Sequence, residues 1–106
     1  MKKFEVNGKK YNVVPMTFNT VCELEDRGVS IEEFTKKKLG FARAYLSIAA
    51  NIDLDEAGVE IEKHIASGMD LAKFFEVIAK EIEESGFFQS LTKAATEETP
   101  KSATTE

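Results

Sequence analysis

Residues 39–52 read LGFARAYLSIAANI and decide the fold class. Apolar side chains occupy ten of these fourteen positions and fall on every side of a helix. A helix that is hydrophobic nearly all round lies in the middle of a bundle or between subunits. The stretch is also shorter than the ~20 apolar residues that a bilayer crossing requires, and Arg43 and Asn51 interrupt it. The sequence therefore predicts a central buried helix, and no membrane partner is expected.

Two amphipathic helices are predicted after this central segment. Asp53 is a suitable N-cap for the first, and Asp70 begins the second. Apolar residues recur in both at the three- and four-residue spacing of one helix face. In the first helix these are Leu54, Ala57, Gly58, Ile61 and Ile65, and in the second they are Leu71, Phe74, Phe75, Ile78 and Ile82. The charged opposite faces are expected to contact water.

Two shorter helices are predicted before the central segment. The first begins after a Thr17 cap and ends at Gly28. Its apolar side holds Phe18, Val21, Cys22 and Leu24. The second opens with a capping box made by Ser30 and Glu33. It contains Phe34 and the lysines Lys36, Lys37 and Lys38.

Residues 4–14 predict a β-hairpin, because Asn7-Gly8 is a strong two-residue turn signal between two short strand-like runs. Pro15 ends the hairpin, since it has no amide proton for a sheet. Two strands are only marginally stable alone, so the hairpin is expected to pack on the helices or to pair with another copy. The fold class is mainly α: a small bundle of about four to five helices with an N-terminal hairpin, an α+β arrangement.

The sequence predicts one domain and a tail. Residues 1–91 are expected to form a single helical domain that includes the hairpin. Residues 92–106 contain no aromatic or branched aliphatic side chain, so they cannot offset the entropy of ordering and are predicted to be a disordered polar tail.

The composition narrows the function classes. The chain has 106 residues, 42% of them hydrophobic, and a formal net charge of -5, which gives no basic surface for nucleic acid. A single cysteine, Cys22, excludes an internal disulfide and favours a reducing compartment. No apolar run follows the charged start Met1-Lys2-Lys3, so no secretory signal is predicted and a cytoplasmic location is expected.

No catalytic, cofactor or metal site is predicted. His64 is the only histidine and is interpreted as a solvated side chain on a helix surface, beside Glu60 and Glu62. Cys22 lies among apolar residues and is interpreted as a small buried hydrophobe. Residues 53–58 begin like an EF-hand loop, but the twelfth position holds His64 instead of a bidentate glutamate, so a capped helix start is the better interpretation. An enzyme is therefore not expected.

Two surface features are candidates for contact with partners. The lysines at 36–38 and Arg43 form a basic cluster, which is interpreted as a solvated helix end where cations favour the negative end of the helix dipole. Large apolar side chains also follow Ser85-Gly86, beyond the apparent end of the last helix. These are Phe87, Phe88 and Leu91, which are the candidate partner-binding residues. They either fill a groove of the domain itself or are offered to a partner.

Five segments within residues 4–91 carry a resemblance to a known family. They are the hairpin at 4–14, TFNTVCELE at 17–25, the apolar helix at 41–50, DEAGVEI at 55–61 and IEESGFF at 82–88. In this order they resemble the small tail assembly chaperones of long-tailed bacteriophages, particularly the group of phages and prophages of Gram-positive bacteria. The last segment is similar to that family's closing serine-x-Phe-Phe signature.

The resemblance implies a non-enzymatic protein that binds the long, helix-rich tape measure protein and keeps it soluble until tail tube subunits polymerise around it. The tail tube protein and a second copy of the chain are further candidate partners. The chaperone would act in the cytoplasm of the infected or lysogenic bacterium and be absent from the mature virion. The alternative function is a small regulatory or adaptor protein of a phage or prophage that binds a host or phage protein.

Overall fold

A computed structural model describes residues 2–85 of the chain. The elements in chain order are strands β1 (Lys3–Val6) and β2 (Lys9–Asn12), followed by helices α1 (Phe18–Asp26), α2 (Lys38–Ala50), α3 (Leu54–Ala66) and α4 (Ala72–Glu84). A single 3-10 turn, Ile31–Glu33, lies between α1 and α2. The predicted fold class, a small mainly helical bundle with an N-terminal hairpin, is confirmed.

The hairpin forms around the predicted turn. Asn7 and Gly8 both have positive φ angles, 55° and 75°, which matches the twist of the two strands. Val6 lies opposite Lys9, and β1 pairs with β2 in antiparallel register. Phe4 and Val6 of β1 are buried, so the hairpin packs on the helices through one face of its first strand.

Helix α2 is the central element, as its sequence predicts. It contacts α1, α3, α4 and the hairpin. Tyr45 of α2 is fully buried. Its hydroxyl accepts from the Val14 amide and donates to the Val14 carbonyl, both at 2.8 Å, and so joins α2 to the segment that follows the hairpin. Burial raises the pKa of the Tyr45 phenol far above its ordinary value of 10.0. Asn51, with a left-handed φ of 59°, ends the helix.

The predicted helix starts are largely confirmed. The Thr17 hydroxyl accepts from the Thr20 amide at 3.2 Å, and the Asp53 carboxylate accepts from the Glu56 amide at 2.7 Å. The Asp70 carboxylate accepts from the Ala72 amide at 3.0 Å. Helix α4 therefore begins two residues later than predicted, although Asp70 still binds its first amide.

The capping box predicted at Ser30 and Glu33 is present, but the helix predicted to continue through Phe34 and the lysines is wrong. The Ser30 amide does donate to the Glu33 carboxylate at 3.2 Å, but only one 3-10 turn follows. The Phe34 ring then lies against Phe41 and Phe75, with centroid distances of 5.1 and 6.4 Å. The Phe34 ring packs on α2 and α4, and no further helical turn forms here. Local sequence signals do not reveal such a tertiary contact.

The dipole interpretation of the basic cluster is also wrong. Lys36, Lys37 and Lys38 are exposed, but they lie at the amino end of α2, where the helix dipole is positive. The Lys37 ammonium instead pairs with the Glu33 carboxylate at 3.3 Å, and the Lys38 ammonium lies 5.6 Å from the centre of the Phe75 ring. Contacts with Glu33 and Phe75, rather than the helix dipole, therefore stabilise the positions of Lys37 and Lys38.

Helix α1 buries a narrower face than predicted. Thr20 and Leu24 are its buried residues, Cys22 is half-buried and Phe18 is 60% exposed. The Thr20 hydroxyl donates to the Pro15 carbonyl at 2.8 Å, which turns the Thr20 and Leu24 face inward. The assignment of Phe18 to the apolar side, and of Cys22 to a fully buried position, is corrected accordingly.

Candidate functional site: an apolar groove between α2 and α3

An open apolar groove of about 400 Å³ runs between α2 and α3. Its residues recur at helical spacing on both helices, so the groove follows the helix axes. The lining residues are Leu39 and Arg43 from α2, and Gly58, Ile61, Glu62, Ile65 and Ala66 from α3. We call this set the α2–α3 groove.

Two large apolar side chains of the groove are exposed to solvent. Leu39 is 65% exposed and Ile65 is 49% exposed, whereas Ile61 between them is buried. Ala66 is small and exposed, so the backbone of α3 is accessible at one end of the groove. Together these residues line a small apolar strip, which makes the groove a candidate for contact with another protein.

One charge of each sign borders the groove. Arg43 lies across Gly58: a β-carbon at that glycine would be 3.5 Å from the Arg43 Cδ atom. Arg43 and Glu62 are both exposed, and within residues 2–85 neither forms a hydrogen bond or an ion pair. The groove therefore offers an apolar floor with one free cation and one free anion.

The geometry of the groove suits an amphipathic helix. On α3 the lining positions are 58, 61, 62, 65 and 66, which are the i, i+3, i+4, i+7 and i+8 positions of a helix face. A second helix that lies in such a groove buries its own apolar side chains at the same spacing. Association of this kind is a binding function without a chemical step.

The interpretation of His64 as a solvated surface residue is wrong. The imidazole is only 6% exposed and is held at both nitrogens. Its Nδ1 atom accepts from the Asn7 amide at 2.9 Å, and its Nε2 atom lies 2.9 Å from the Asp70 carbonyl. Since Nδ1 accepts, Nε2 carries the proton and donates to Asp70. His64 thus joins the hairpin turn, α3 and the start of α4.

The error on His64 has a specific cause. The buried positions of α3 are Ala57, Ile61 and His64, so the face that packs inward is centred between Ile61 and His64. The apolar residues alone predicted a face that ends at Ile65. The hairpin turn covers His64, and a contact 57 residues distant in the chain leaves no local signal.

Glu60 strengthens the same contact between hairpin and helix. Its carboxylate accepts from the Asn7 side-chain amide at 3.0 Å and lies 3.3 Å from the Lys9 ammonium. These contacts, the Asn7 hydrogen bond first, hold the pKa of the Glu60 carboxyl below its ordinary value of 4.5. Glu60 therefore pairs with the hairpin rather than with His64, its neighbour on the helix.

The remaining predicted candidates do not gather into one site. Cys22 is half-buried on α1, and Asp53 acts as a helix cap, as predicted. Within the described part of the chain, no three histidine, cysteine, aspartate or glutamate side chains are grouped so as to hold a metal ion. The predicted partner-binding residues Phe87, Phe88 and Leu91 lie outside the described residues.

Comparison with known proteins identifies no relative. No protein-family model, no curated protein and no solved structure matches the chain. Among residues 2–85, no helix combines the length and the apolar character needed to cross a membrane. Any function of this chain must therefore be inferred from its own residues and their geometry.

The sequence pattern did not predict the α2–α3 groove, although most of the residues that line it had been assigned to helix faces. It assigned Gly58, Ile61 and Ile65 to one inward face of α3 and Leu39 to the central buried helix. The apolar residues at positions 54, 57, 58, 61 and 65 form a stripe of ordinary width, so they give no signal of an exposed strip. Ile65 stays exposed because the inward face of α3 is centred between Ile61 and His64.

Proposed function

We propose that this chain is a tail assembly chaperone that binds apolar helix faces of a phage tape measure protein and keeps that protein soluble before the tail tube assembles. The observation that supports this function is the α2–α3 groove, which brings two exposed large apolar side chains, Leu39 and Ile65, onto one surface; Phe18, Val59 and Met69 are exposed outside it. The similarity of the segments within residues 4–91 to tail assembly chaperones gives the proposal its specific partner.

The groove fits the task physically. An unassembled tape measure protein exposes long apolar helix stripes, and each stripe presents side chains at the spacing that the groove accepts. Many copies bound along one rod act together even when each contact is weak, and weak contacts let tube subunits displace them. The net charge of -5 per chain keeps neighbouring coated rods apart by repulsion.

Co-expression of the full chain with the tape measure protein encoded in the same genome tests the proposal. We expect the wild-type chain to increase the soluble fraction of the tape measure protein and to co-purify with it. Replacing Ile65→Glu in the groove should abolish both effects, because a charge in the apolar floor loses its hydration when a helix docks. No gain in solubility with the wild-type chain would contradict the proposed function.

Two further variants locate the contact. Val59→Glu is the matched control, since Val59 lies on the same helix and is 46% exposed but lies outside the groove. It should behave like the wild type. The double variant Phe87→Ser and Phe88→Ser tests the carboxyl-terminal residues that the sequence nominated. Loss of co-purification in this variant alone, with Ile65→Glu active, would move the contact from the groove to the carboxyl-terminal segment.

A further inference from the structure

We propose that two copies of this chain pair through their α2–α3 grooves around a two-fold axis, so that Arg43 of each copy binds Glu62 of the partner subunit. The proposal concerns the same surface as the proposed function and adds its regulation: in the absence of a client helix, the groove is covered by a second copy. The occupant of the free groove is thus another molecule of this protein.

The distribution of charge favours a copy of the same chain as occupant. A two-fold interface joins one surface to itself, so it is stable only when that surface is self-complementary. The α2–α3 groove carries one cation and one anion at its border, Arg43 and Glu62, and neither has a partner within residues 2–85. Antiparallel apposition of two such grooves brings each cation to the anion of the other copy.

The apolar part of the groove supplies the driving force. Leu39 and Ile65 lie on the same surface as the two charges and are exposed in the single chain. Apposition removes both from water in each copy, which favours association. Ala66 is exposed and lacks a long side chain, so the helices of the second copy can approach the carboxyl end of α3 closely. The charges then fix the register of an interface that apolar contacts hold together.

Self-pairing and client binding exclude each other, because both cover Leu39 and Ile65. The pair would therefore hide the apolar strip while no tape measure protein is present. A client helix with many binding stripes displaces the second copy through its higher local concentration of sites. This exchange gives a chaperone that does not aggregate before its client is made.

Charge reversal in the full-length protein tests the interface. Arg43→Glu and Glu62→Arg each place two like-charged pairs in the dimer, so each variant alone should dimerise at least about tenfold more weakly than the wild type. An equimolar mixture of the two variants should form a heterodimer, because every contact is then between opposite charges. Sedimentation velocity over a concentration series measures the dissociation constants of the wild-type dimer, the two variant homodimers and the heterodimer.

Net charge alone makes both homodimers and the heterodimer repulsive, and its contribution to the pattern is measured by controls that carry the same charge changes outside the groove. The two variants carry formal net charges of -7 and -3, each shifted by two from -5, so they repel each other overall. As controls, Lys80→Glu and Glu76→Arg make the same charge changes on α4, at exposed positions outside the groove. Both controls should dimerise like the wild type, and their mixture should show no preference for the heterodimer.

The outcomes separate this proposal from the proposed function. A wild-type protein that sediments as a monomer at every concentration overturns the dimer, as does a mixture of the two variants that shows no heterodimer. Either result leaves client binding open, because co-purification of the tape measure protein is measured independently. Conversely, a dimer with the expected charge pattern that fails to bind the tape measure protein supports the interface and contradicts the chaperone function.

Discussion

The imidazole of His64 joins three segments that are distant in the sequence. It accepts from the Asn7 amide of the hairpin turn and donates to the Asp70 carbonyl before α4, while its own backbone belongs to α3. Both backbone groups are polar atoms that need partners when they are shielded from water. His64 is therefore a structural residue, and its two hydrogen bonds leave no ring nitrogen free for chemistry.

Replacing His64→Ala should lower the free energy of unfolding by about 2–4 kcal/mol, because the Asn7 amide and the Asp70 carbonyl lose their partner and a cavity remains. Urea denaturation followed by circular dichroism measures the change. Lys63→Ala is the control, since its side chain is exposed on the same helix, and it should alter stability by less than about 0.5 kcal/mol. A similarly small effect of His64→Ala would restore the interpretation of His64 as a surface residue.

Helix boundaries are the part of the fold that the sequence predicts best, because capping chemistry is local. Thr17 and Asp53 bind the amides that their positions predict, and Asn7-Gly8 makes the expected turn. The 3-10 turn at 31–33 and the burial of His64 were not predictable in this way. Each depends on contacts between elements, with Phe34 packed on α2 and α4 and His64 covered by the hairpin.

Gly58 lies inside α3 and within the α2–α3 groove, so one substitution separates helix stability from binding. Gly58→Ala should raise the free energy of unfolding by about 0.5–1 kcal/mol, the difference in helix propensity between the two residues. The added methyl group would lie at an ordinary contact distance, 3.5 Å, from the Arg43 Cδ atom. Thermal denaturation measures the gain, and sedimentation should show weaker dimerisation because the groove becomes shallower.

Gly28→Ala is the contrasting variant for this prediction. Gly28 has a φ of 91° after α1, a conformation that a residue with a β-carbon adopts only with strain. It should therefore destabilise the protein, whereas Gly58→Ala stabilises it. A loss of stability in Gly58→Ala would mean that Arg43 cannot accommodate the methyl group and that the groove is tighter than its geometry indicates.

At the scale of the whole molecule, the hairpin is attached to the helical bundle at both ends by polar contacts. At the turn, Asn7 and Lys9 bind Glu60 of α3. At the start of β1, the Lys2 ammonium lies 3.1 Å from Glu81 and 3.2 Å from Glu84 of α4, and these contacts raise the pKa of Lys2. Phe4 stacks on Phe74 between the two ends, with ring centroids 4.9 Å apart. Apolar packing thus holds the hairpin against the helices, and polar contacts at its two ends fix its position.

The lowered pKa of Glu60 makes the attachment of the hairpin sensitive to acid. A carboxyl whose pKa is lower in the folded protein than in the unfolded chain contributes stability above its unfolded value of 4.5, and that contribution is lost as the pH falls through the folded pKa. Glu60→Gln keeps a hydrogen-bond acceptor for Asn7 but has no charge for Lys9. The variant should be less stable than the wild type at pH 7, and its stability should fall less steeply between pH 5 and about pH 2.

Urea denaturation at a series of pH values measures both differences. Glu62→Gln is the matched control, because Glu62 is exposed on the same helix and forms no hydrogen bond or ion pair within residues 2–85. Its stability should follow the wild-type pH profile. If the profile of Glu60→Gln also runs parallel to that of the wild type, the charge of Glu60 does not hold the hairpin, and uncharged hydrogen bonds from Asn7 fix the turn on α3.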